Sequence, residues 1–356
     1  MKRRQLLKLM ALGVFSPWPL TVLGNSRPET NLAVAVDRNP TAPYPEESED
    51  TLRIGLVACG SAGIAMCRGL DKIAYGLDTI IALDTSSRAL RSMDNAEHRF
   101  VIKSERGHKT QTQSQVDKSI RRSQEKIEQL LRPLHGVILV SGLGGPAGTA
   151  SILAVAEMAQ QLGISAFSFV TTPFEFECQR RHSTSQMGLH CLRELTDNLL
   201  LIQDEPGDMV RHERLLSNAI EERHTALRHY LWNACGCVTH YGLVGIDFED
   251  IRTVLNQRQS GLISRIGWGE AVGVERALGA TLNALEHPYL LPLEESPSRS
   301  ISVSIRARRS LLKMREVNAV MQTIKALCAD DETHIIFSAD YDESLGERIQ
   351  VSIVLT

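Results

Sequence analysis

Short continuous apolar runs recur between Leu52 and Ile202, each closed by a glycine-rich or polar turn and most followed by a helical pattern. LRIGLVAC ends in a turn with Gly60 and Gly63 and enters a helix, and TIIALD ends on Asp84. Val137 to Val140, Ala166 to Val170 and Leu199 to Ile202 are further runs. Apolar residues on both faces, without alternation, suit strands covered on both sides. Helical spacing lies between the runs. Ile120, Ile127, Leu130 and Leu131 mark an amphipathic helix over Asp117 to Leu131, and another helix is predicted near Met187 to Thr196. Strands alternating with helices predict a largely parallel α/β sheet. Phe100 to Gln115 is polar and carries no period.

Beyond Ile202 helical spacing dominates first. Leu215, Leu216, Ala219, Ile220, Leu227, Leu231, Ala234 and Val238 predict one long helix from Arg211 to about Val238, a length suited to joining two domains. YGLVGIDFEDIRTVL then reads as a turn and a new helix start. ISVSI alternates as a strand does, Arg315 to Cys328 is helical, and HIIFSADYDESLGERIQVSIVLT predicts a hairpin. The reading is an α/β domain with its central helix over 52–241 and a C-terminal α+β domain over 242–356.

The first 51 residues follow neither pattern. Within residues 1–24, Lys2, Arg3 and Arg4 precede an apolar run from Leu6 to Phe15 that is broken by Lys8, and Pro17 and Pro19 stop any helix. The run falls short of the ~20 residues a spanning helix needs. KRRQLLK resembles a twin-arginine export signal, which would deliver the body to the periplasm. As a helix, the same stretch places Arg4 and Lys8 on one face with leucines opposite, which suits an anchor on the cytoplasmic face of the inner membrane. A disordered start is the third reading. Residues 25–51, with Pro28, Pro40, Pro43, Pro45 and a run of acids at Glu46, Glu47, Glu49 and Asp50, form a linker.

Composition narrows the function classes. Across 356 residues the formal charge is -3, which supplies no basic field for nucleic acid. The seven cysteines are scattered with no CxxC pair, a pattern of a reducing compartment, and this favours the cytoplasmic side. Cys235, Cys237 and His240 have no fourth partner for a metal and read as small residues at a helix end.

The glycines carry the candidate chemistry. Gly142, Gly144, Gly145, Gly148 and Thr149 lie between an apolar strand and a helix, an arrangement that aims amides and a helix N-terminus at one point and suits a phosphate. Gly55, Gly60, Gly63 and Asp84 loosely imitate a dinucleotide fingerprint without the G-x-G-x-x-G spacing, so a Rossmann-type enzyme remains one reading.

Taken together, these stretches resemble the FtsZ/tubulin superfamily, specifically FtsZ, over roughly residues 52–356. LRIGLVACGSAGIAMCRGL is similar to its first nucleotide loop, and GLGGPAGTASILAVAEMAQQLG stands at its glycine-rich signature. TTPFEFECQRR resembles the loop reaching the ribose and base, and GLVGIDFEDIRTVL resembles the synergy loop. The resemblance implies the tubulin/FtsZ-type fold: a parallel sheet, a long central helix and a C-terminal α+β domain. It implies GTP, with Mg when nucleotide is bound. Gly60, Gly63, Gly144, Gly145, Gly148 and Thr149 would line the phosphates, with Glu177 and Arg181 near the sugar. Asp247 and Asp250 would be catalytic acids contributed by the next copy in a head-to-tail polymer. The chain ends on its last strand, and the N-terminal anchor is expected to serve where relatives use a C-terminal tail.

This sequence also departs from the family pattern, mainly in the nucleotide pocket. Residues 144–150 read GGPAGTA where the family has GGGTGTG, so Pro146 removes an amide donor and Ala147 a hydroxyl. Ile64 replaces an Asn, Thr225 stands at the guanine-reading Asp, Ile220 at the base-stacking Phe, and Gly245 at the Asn of the synergy loop. The leading expectation is a divergent, self-assembling FtsZ-like protein with a role in membrane remodelling or an accessory division-like process. A nucleotide-free structural protein on the same fold is the alternative, and the Rossmann-type enzyme is the third. Asp247 at an N-cap with Asp250 three residues later, ahead of an apolar-periodic segment, is also a normal helix start, which explains both acids without catalysis.

Overall fold

A computed structural model describes residues 52–102, 113–203, 215–236, 248–255, 263–290, 300–326 and 333–356. The apolar runs form one parallel sheet. Its strands are β1 (Ile54–Cys59), β2 (Thr79–Asp84), β3 (His98–Val101), β4 (Gly136–Gly142), β5 (Ser165–Thr171) and β6 (Asn198–Ile202), in the order β3-β2-β1-β4-β5-β6. Alternate residues of each strand point to opposite cores, which is why the runs are apolar throughout. Leu56, Ala58, Ile138, Val140, Phe167 and Phe169 meet α1 (Gly60–Cys67), α2 (Ser87–Arg91) and α6 (Leu216–Leu231). Val57, Ile81, Leu83, Leu139 and Val170 meet α3 (Gln113–Leu131), α4 (Pro146–Leu162) and α5 (Gln179–Leu195). The edge strand β3 is short and largely exposed, so no apolar run announces it.

Two helices differ from their expected form. α5 begins at Gln179, eight residues ahead of Met187, because its first half is polar and buries little beyond Ser185 and Gly188. The central helix runs as α6 and then widens into a π-helical turn over Trp232–Gly236, all buried. Its buried face is Ala219, Arg223, Ala226, Leu227 and Tyr230, whereas Leu215, Leu216 and Ile220 are 67%, 54% and 41% exposed. Apolar residues occupy two faces of this helix, and Tyr230 packing against Phe169 at 5.8 Å decides which one turns inward. Residues 211–214 and 237–238 of the expected helix lie outside the described residues.

The C-terminal part contains α7 (Phe248–Leu255), β7 (Arg265–Ala271), α8 (Arg276–Leu285), β8 (Ser300–Ala307), α9 (Met314–Lys325), β9 (His334–Tyr341) and β10 (Ile349–Leu355). The sheet order is β7-β10-β8-β9. The expected terminal hairpin does not form: β9 pairs parallel with β8, and β10 pairs antiparallel with both β8 and β7. Burial explains this. β10 is buried along its whole length and takes the sheet interior, whereas β9 is only partly buried and takes the edge. β8 is also buried on both faces, so its alternation is not one of core against solvent. Ser302 and Ser352 face the π-helical turn, where Asn233 donates to Ser352 Oγ (2.7 Å) and accepts from Ser302 Oγ (3.4 Å).

Candidate nucleotide site

Strand order reverses between β1 and β4, and in an open parallel sheet a ligand crevice opens beyond the carboxyl ends of the strands at that point. Two helices begin there. α1 starts directly at Gly60, whose φ of 72° is a left-handed conformation that glycine adopts without strain. α4 starts after the turn through Gly144, also left-handed at φ 99°, with Gly145 as N-cap and Pro146 in its first turn. The absent amide of Pro146 is one that a helix start leaves unbonded anyway, so the proline is well placed for folding. It also removes one donor that a bound anion would otherwise use.

The glycines bring the two helix starts into contact. A Cβ on Gly60 would lie 2.6 Å from Gly148 Cα and 2.7 Å from its amide nitrogen, and one on Gly63 would overlap the Val140 carbonyl. One on Gly148 would lie 2.8 Å from both Gly142 O and Ser141 Oγ. Ser141 Oγ in turn donates to Cys59 O (3.1 Å), tying the end of β4 to the end of β1. Gly144 lets the loop after β5 close in, because a Cβ there would lie 2.8 Å from Arg181 O and from Pro173. Gly145 differs from the other four: among the described residues the nearest neighbour of a Cβ there would be Arg181 Nη2, 3.8 Å away. Thr149 is fully buried, and its hydroxyl accepts the Gly144 N–H (3.0 Å), so this side chain fastens the glycine turn from within.

Glu177 and Arg181 meet at the rim of the crevice. Arg181 Nη1 lies 2.7 Å from Glu177 Oε2, and Glu177 Oε1 accepts the Phe174 N–H (2.9 Å). The pair thus holds the loop after β5 and sets a half-exposed guanidinium beside the N-cap of α4. Asp84 is buried and already engaged: it accepts from Ser61 Oγ (2.7 Å) and Ser86 N–H (2.6 Å). A dinucleotide enzyme needs that carboxylate for a ribose, so its local bonds weigh against the Rossmann reading. Burial, reinforced by the Asp84 charge, pushes the Cys59 thiol far above its usual range and leaves it unsuited to nucleophilic work.

Arg223 escaped sequence reasoning. On α6 it is buried, its Nη1 donates to Thr172 O (3.2 Å), and its guanidinium lies 3.8 Å over the Phe174 ring. Phe174 stacks in turn on the exposed Phe176 at 5.4 Å. A charged residue on the inward face of a helix breaks the apolar period, and that break was the one available signal. Thr225 is half-buried and Ile220 exposed on the same helix. Asp250 is exposed in the first turn of α7, and Asp247 lies outside the described residues.

Comparison with known proteins places both parts of the chain. Residues 53–206 match the GTPase domain of the Tubulin/FtsZ family, and residues 263–356 match the C-terminal domain of the FtsZ family. The cell division protein FtsZ of Mycoplasmopsis pulmonis is 28% identical over 284 residues, covering 79% of this chain and 70% of that protein. FtsZ 1 of Thermococcus kodakarensis is 27% identical over 307 residues, covering 85% and 80%. FtsZ of Neisseria gonorrhoeae is 32% identical over 235 residues, covering 65% and 59%. The solved structure of an empty FtsZ dimer from M. jannaschii superposes with a TM-score of 0.76 at 25% identity, covering 86% of this chain and 88% of that one. The two family matches run in the same order as the two sheets, and together they span well over half of the sequence. The chain belongs to the FtsZ/tubulin superfamily, as a divergent FtsZ-like member.

Proposed function

We propose that this protein is a self-assembling FtsZ-like cytoskeletal protein that holds a nucleoside polyphosphate in the crevice between α1 and α4. The observation that carries this reading is the convergence of two helix N-termini, held in contact through Gly60 and Gly148, with the Arg181 guanidinium beside them. Helix starts and a nearby cation favour an anion there. In this reading the α1 start, with Gly60 and Gly63, and the amides after Gly145 face the phosphates. Glu177 and Arg181 stand towards the sugar, while Gly144, Gly148 and Thr149 shape the turn. GTP, with Mg, is the nucleotide the family implies, and its phosphoanhydride is the bond whose hydrolysis drives turnover. Asp250 and Asp247 of the neighbouring copy would orient water at that bond. Thr225 lacks the carboxylate that reads guanine, so base selection is expected to be relaxed.

The N-terminal segment would hold the body at the cytoplasmic face of the inner membrane, in an accessory division-like or membrane-remodelling role. Sedimentation and electron microscopy of the full chain with GTP and with anionic vesicles test this: nucleotide-dependent filaments are expected. A chain that stays monomeric with every nucleotide at high concentration sinks it.

Specific observations favour a second reading, in which the fold assembles without nucleotide. Pro146 removes a donor, the Thr149 hydroxyl is already engaged by Gly144, and Glu177 and Arg181 are paired with each other. Titration calorimetry separates the two, because binding of GTP, GDP or ATP at micromolar concentration excludes the nucleotide-free form.

A further inference from the structure

We propose that Arg223 is a positioning residue, through which the central helix holds the loop after β5 so that Glu177 and Arg181 stand at the glycine crevice. This rests on the reading of the crevice as a nucleotide site, and it names a residue of α6 that serves the site from outside the glycine turns.

The loop has bonds of its own, and they shape it without attaching it. Glu177 Oε1 accepts the Phe174 N–H (2.9 Å), and the Glu177 N–H returns to Phe174 O (2.9 Å). Both close one tight turn, and both would survive if that turn swung as a unit away from α4. An attachment from outside comes from α6. Arg223 Nη1 donates to Thr172 O (3.2 Å), where the chain leaves β5, and its guanidinium covers the Phe174 ring at 3.8 Å. Contacts then run on to the crevice. Phe174 is bonded to Glu177, Glu177 Oε2 lies 2.7 Å from Arg181 Nη1, and Arg181 Nη2 lies 3.8 Å from the place of a Gly145 Cβ.

The choice of residue points the same way. Arg223 is 8% exposed on the inward face of a helix, and burying a charge there costs desolvation that an apolar side chain of similar length avoids. What a guanidinium adds is a flat cation for an aromatic face together with donors for a carbonyl, and the loop presents both groups to it. A methionine would fill the space and hold neither.

The test compares the full chain with Arg223→Met, Phe174→Leu and the two combined. Chymotrypsin reads the hold in the free protein, because Phe176 is 76% exposed and its bond is cut once the loop detaches. Cleavage after Phe176, identified by fragment mass, is expected to quicken about tenfold in Arg223→Met, with amide exchange in β1 and β4 unchanged. Phe174→Leu leaves α6 intact and removes the same contact from the loop side, so it should act alike, and the combined variant should add little. Calorimetry with GDP then reads the site: each single variant is expected to bind about tenfold more weakly than the parent. Unchanged cleavage, quickened exchange in β1 and β4 as well, or effects that add in the combined variant overturn the proposal. Unchanged GDP affinity in a variant whose loop is cut faster overturns it too. A parent that binds no GDP sinks the nucleotide reading alone, and the cleavage rates still decide whether Arg223 holds the loop.

Discussion

The crevice at the top of the parallel sheet and the junction between the central helix and the second sheet are both tightly packed, by opposite means. The crevice is made of backbone: Gly60 against Gly148, and Gly63 against the Val140 carbonyl, with no side chain between them. The junction is made of side chains. Asn233 in the π-helical turn bonds His229 O, Ser302 and Ser352. The Trp232 ring lies 4.0 Å under the Arg306 guanidinium, and His229 stacks on Trp268 at 5.0 Å. Backbone contact admits no added atom but tolerates many neighbours. A polar junction tolerates atoms but requires particular partners. The first suits a site that must leave room for a ligand, and the second suits a joint that must fix one element against another.

The largest expected effect tests the backbone side of this contrast. Gly60→Ala places a methyl against Gly148 and holds alanine in a left-handed conformation, and it is expected to destabilise by more than about 3 kcal/mol. Gly69 has nearly the same φ, 73° against 72°, with nothing among the described residues within 4 Å of a Cβ. Gly69→Ala therefore isolates the conformational cost, expected at about 1 kcal/mol. Urea unfolding of both variants checks the difference. Equal losses would mean that the contact with Gly148 contributes nothing.

Asn233→Leu probes the other side. It removes the shared partner of Ser302 and Ser352 and leaves buried hydroxyls to find new ones, at an expected cost of about 2–3 kcal/mol. The helix start at the crevice should be unaffected, so amide exchange is expected to quicken in β8 and β10 and to stay slow in β1 and β4. Uniform quickening would show that the two regions are a single cooperative unit.

The contrast also explains what the sequence made legible. Strands β1, β2, β4, β5 and β6 are covered on both faces, so their apolar runs stand out, and the crevice glycines stand out because backbone contact leaves no alternative residue. The junction was invisible because its signal is polar. Asn233, Ser302 and Ser352 look like solvent-facing residues, and alternation in ISVSI suggests a half-buried strand where both faces are covered. Arg223 and the polar first half of α5 were missed for the same reason: a buried polar residue with a partner carries no apolar period. The terminal hairpin failed on a different point. Two adjacent strands with a turn between them do not specify which neighbour each one pairs with, and here β8 lies between β9 and β10.

The junction should also carry an acid sensitivity. Burial, followed by the nearby positive charges of Arg306, His287 and Arg228, pushes His229 down to about 3. Unfolded, it protonates near 6.5, so between those values the unfolded chain binds the extra proton and stability falls as pH falls. Above about 6.5 the residue adds no slope. At pH 5 the penalty is ~2 kcal/mol. His229→Phe keeps a ring against Trp268 without the titration, so its stability between pH 7 and pH 5 is expected to fall less than that of the parent by about this amount. Parallel curves would remove His229 as the source.

The smallest expected change in stability is the most informative about the crevice. Gly145 has an ordinary extended backbone, φ -90° and ψ 146°, and among the described residues a Cβ there meets nothing nearer than Arg181 Nη2 at 3.8 Å. Packing therefore gives no reason for glycine at this position, whereas it does at Gly60, Gly63, Gly144 and Gly148. Gly145→Ala loses some N-cap preference and gains by restricting the unfolded chain, so its stability should stay within about 0.5 kcal/mol of the parent. If an anion seats on the α4 start, the added methyl crowds it, and nucleotide affinity is expected to drop by about tenfold while the melting curve stays put. If both stay put, nothing approaches the α4 start closely, and the crevice is a packing contact between two helices and their strands. Stability and affinity measured on this one variant thus separate a glycine kept for a ligand from its neighbours, which are kept for the fold.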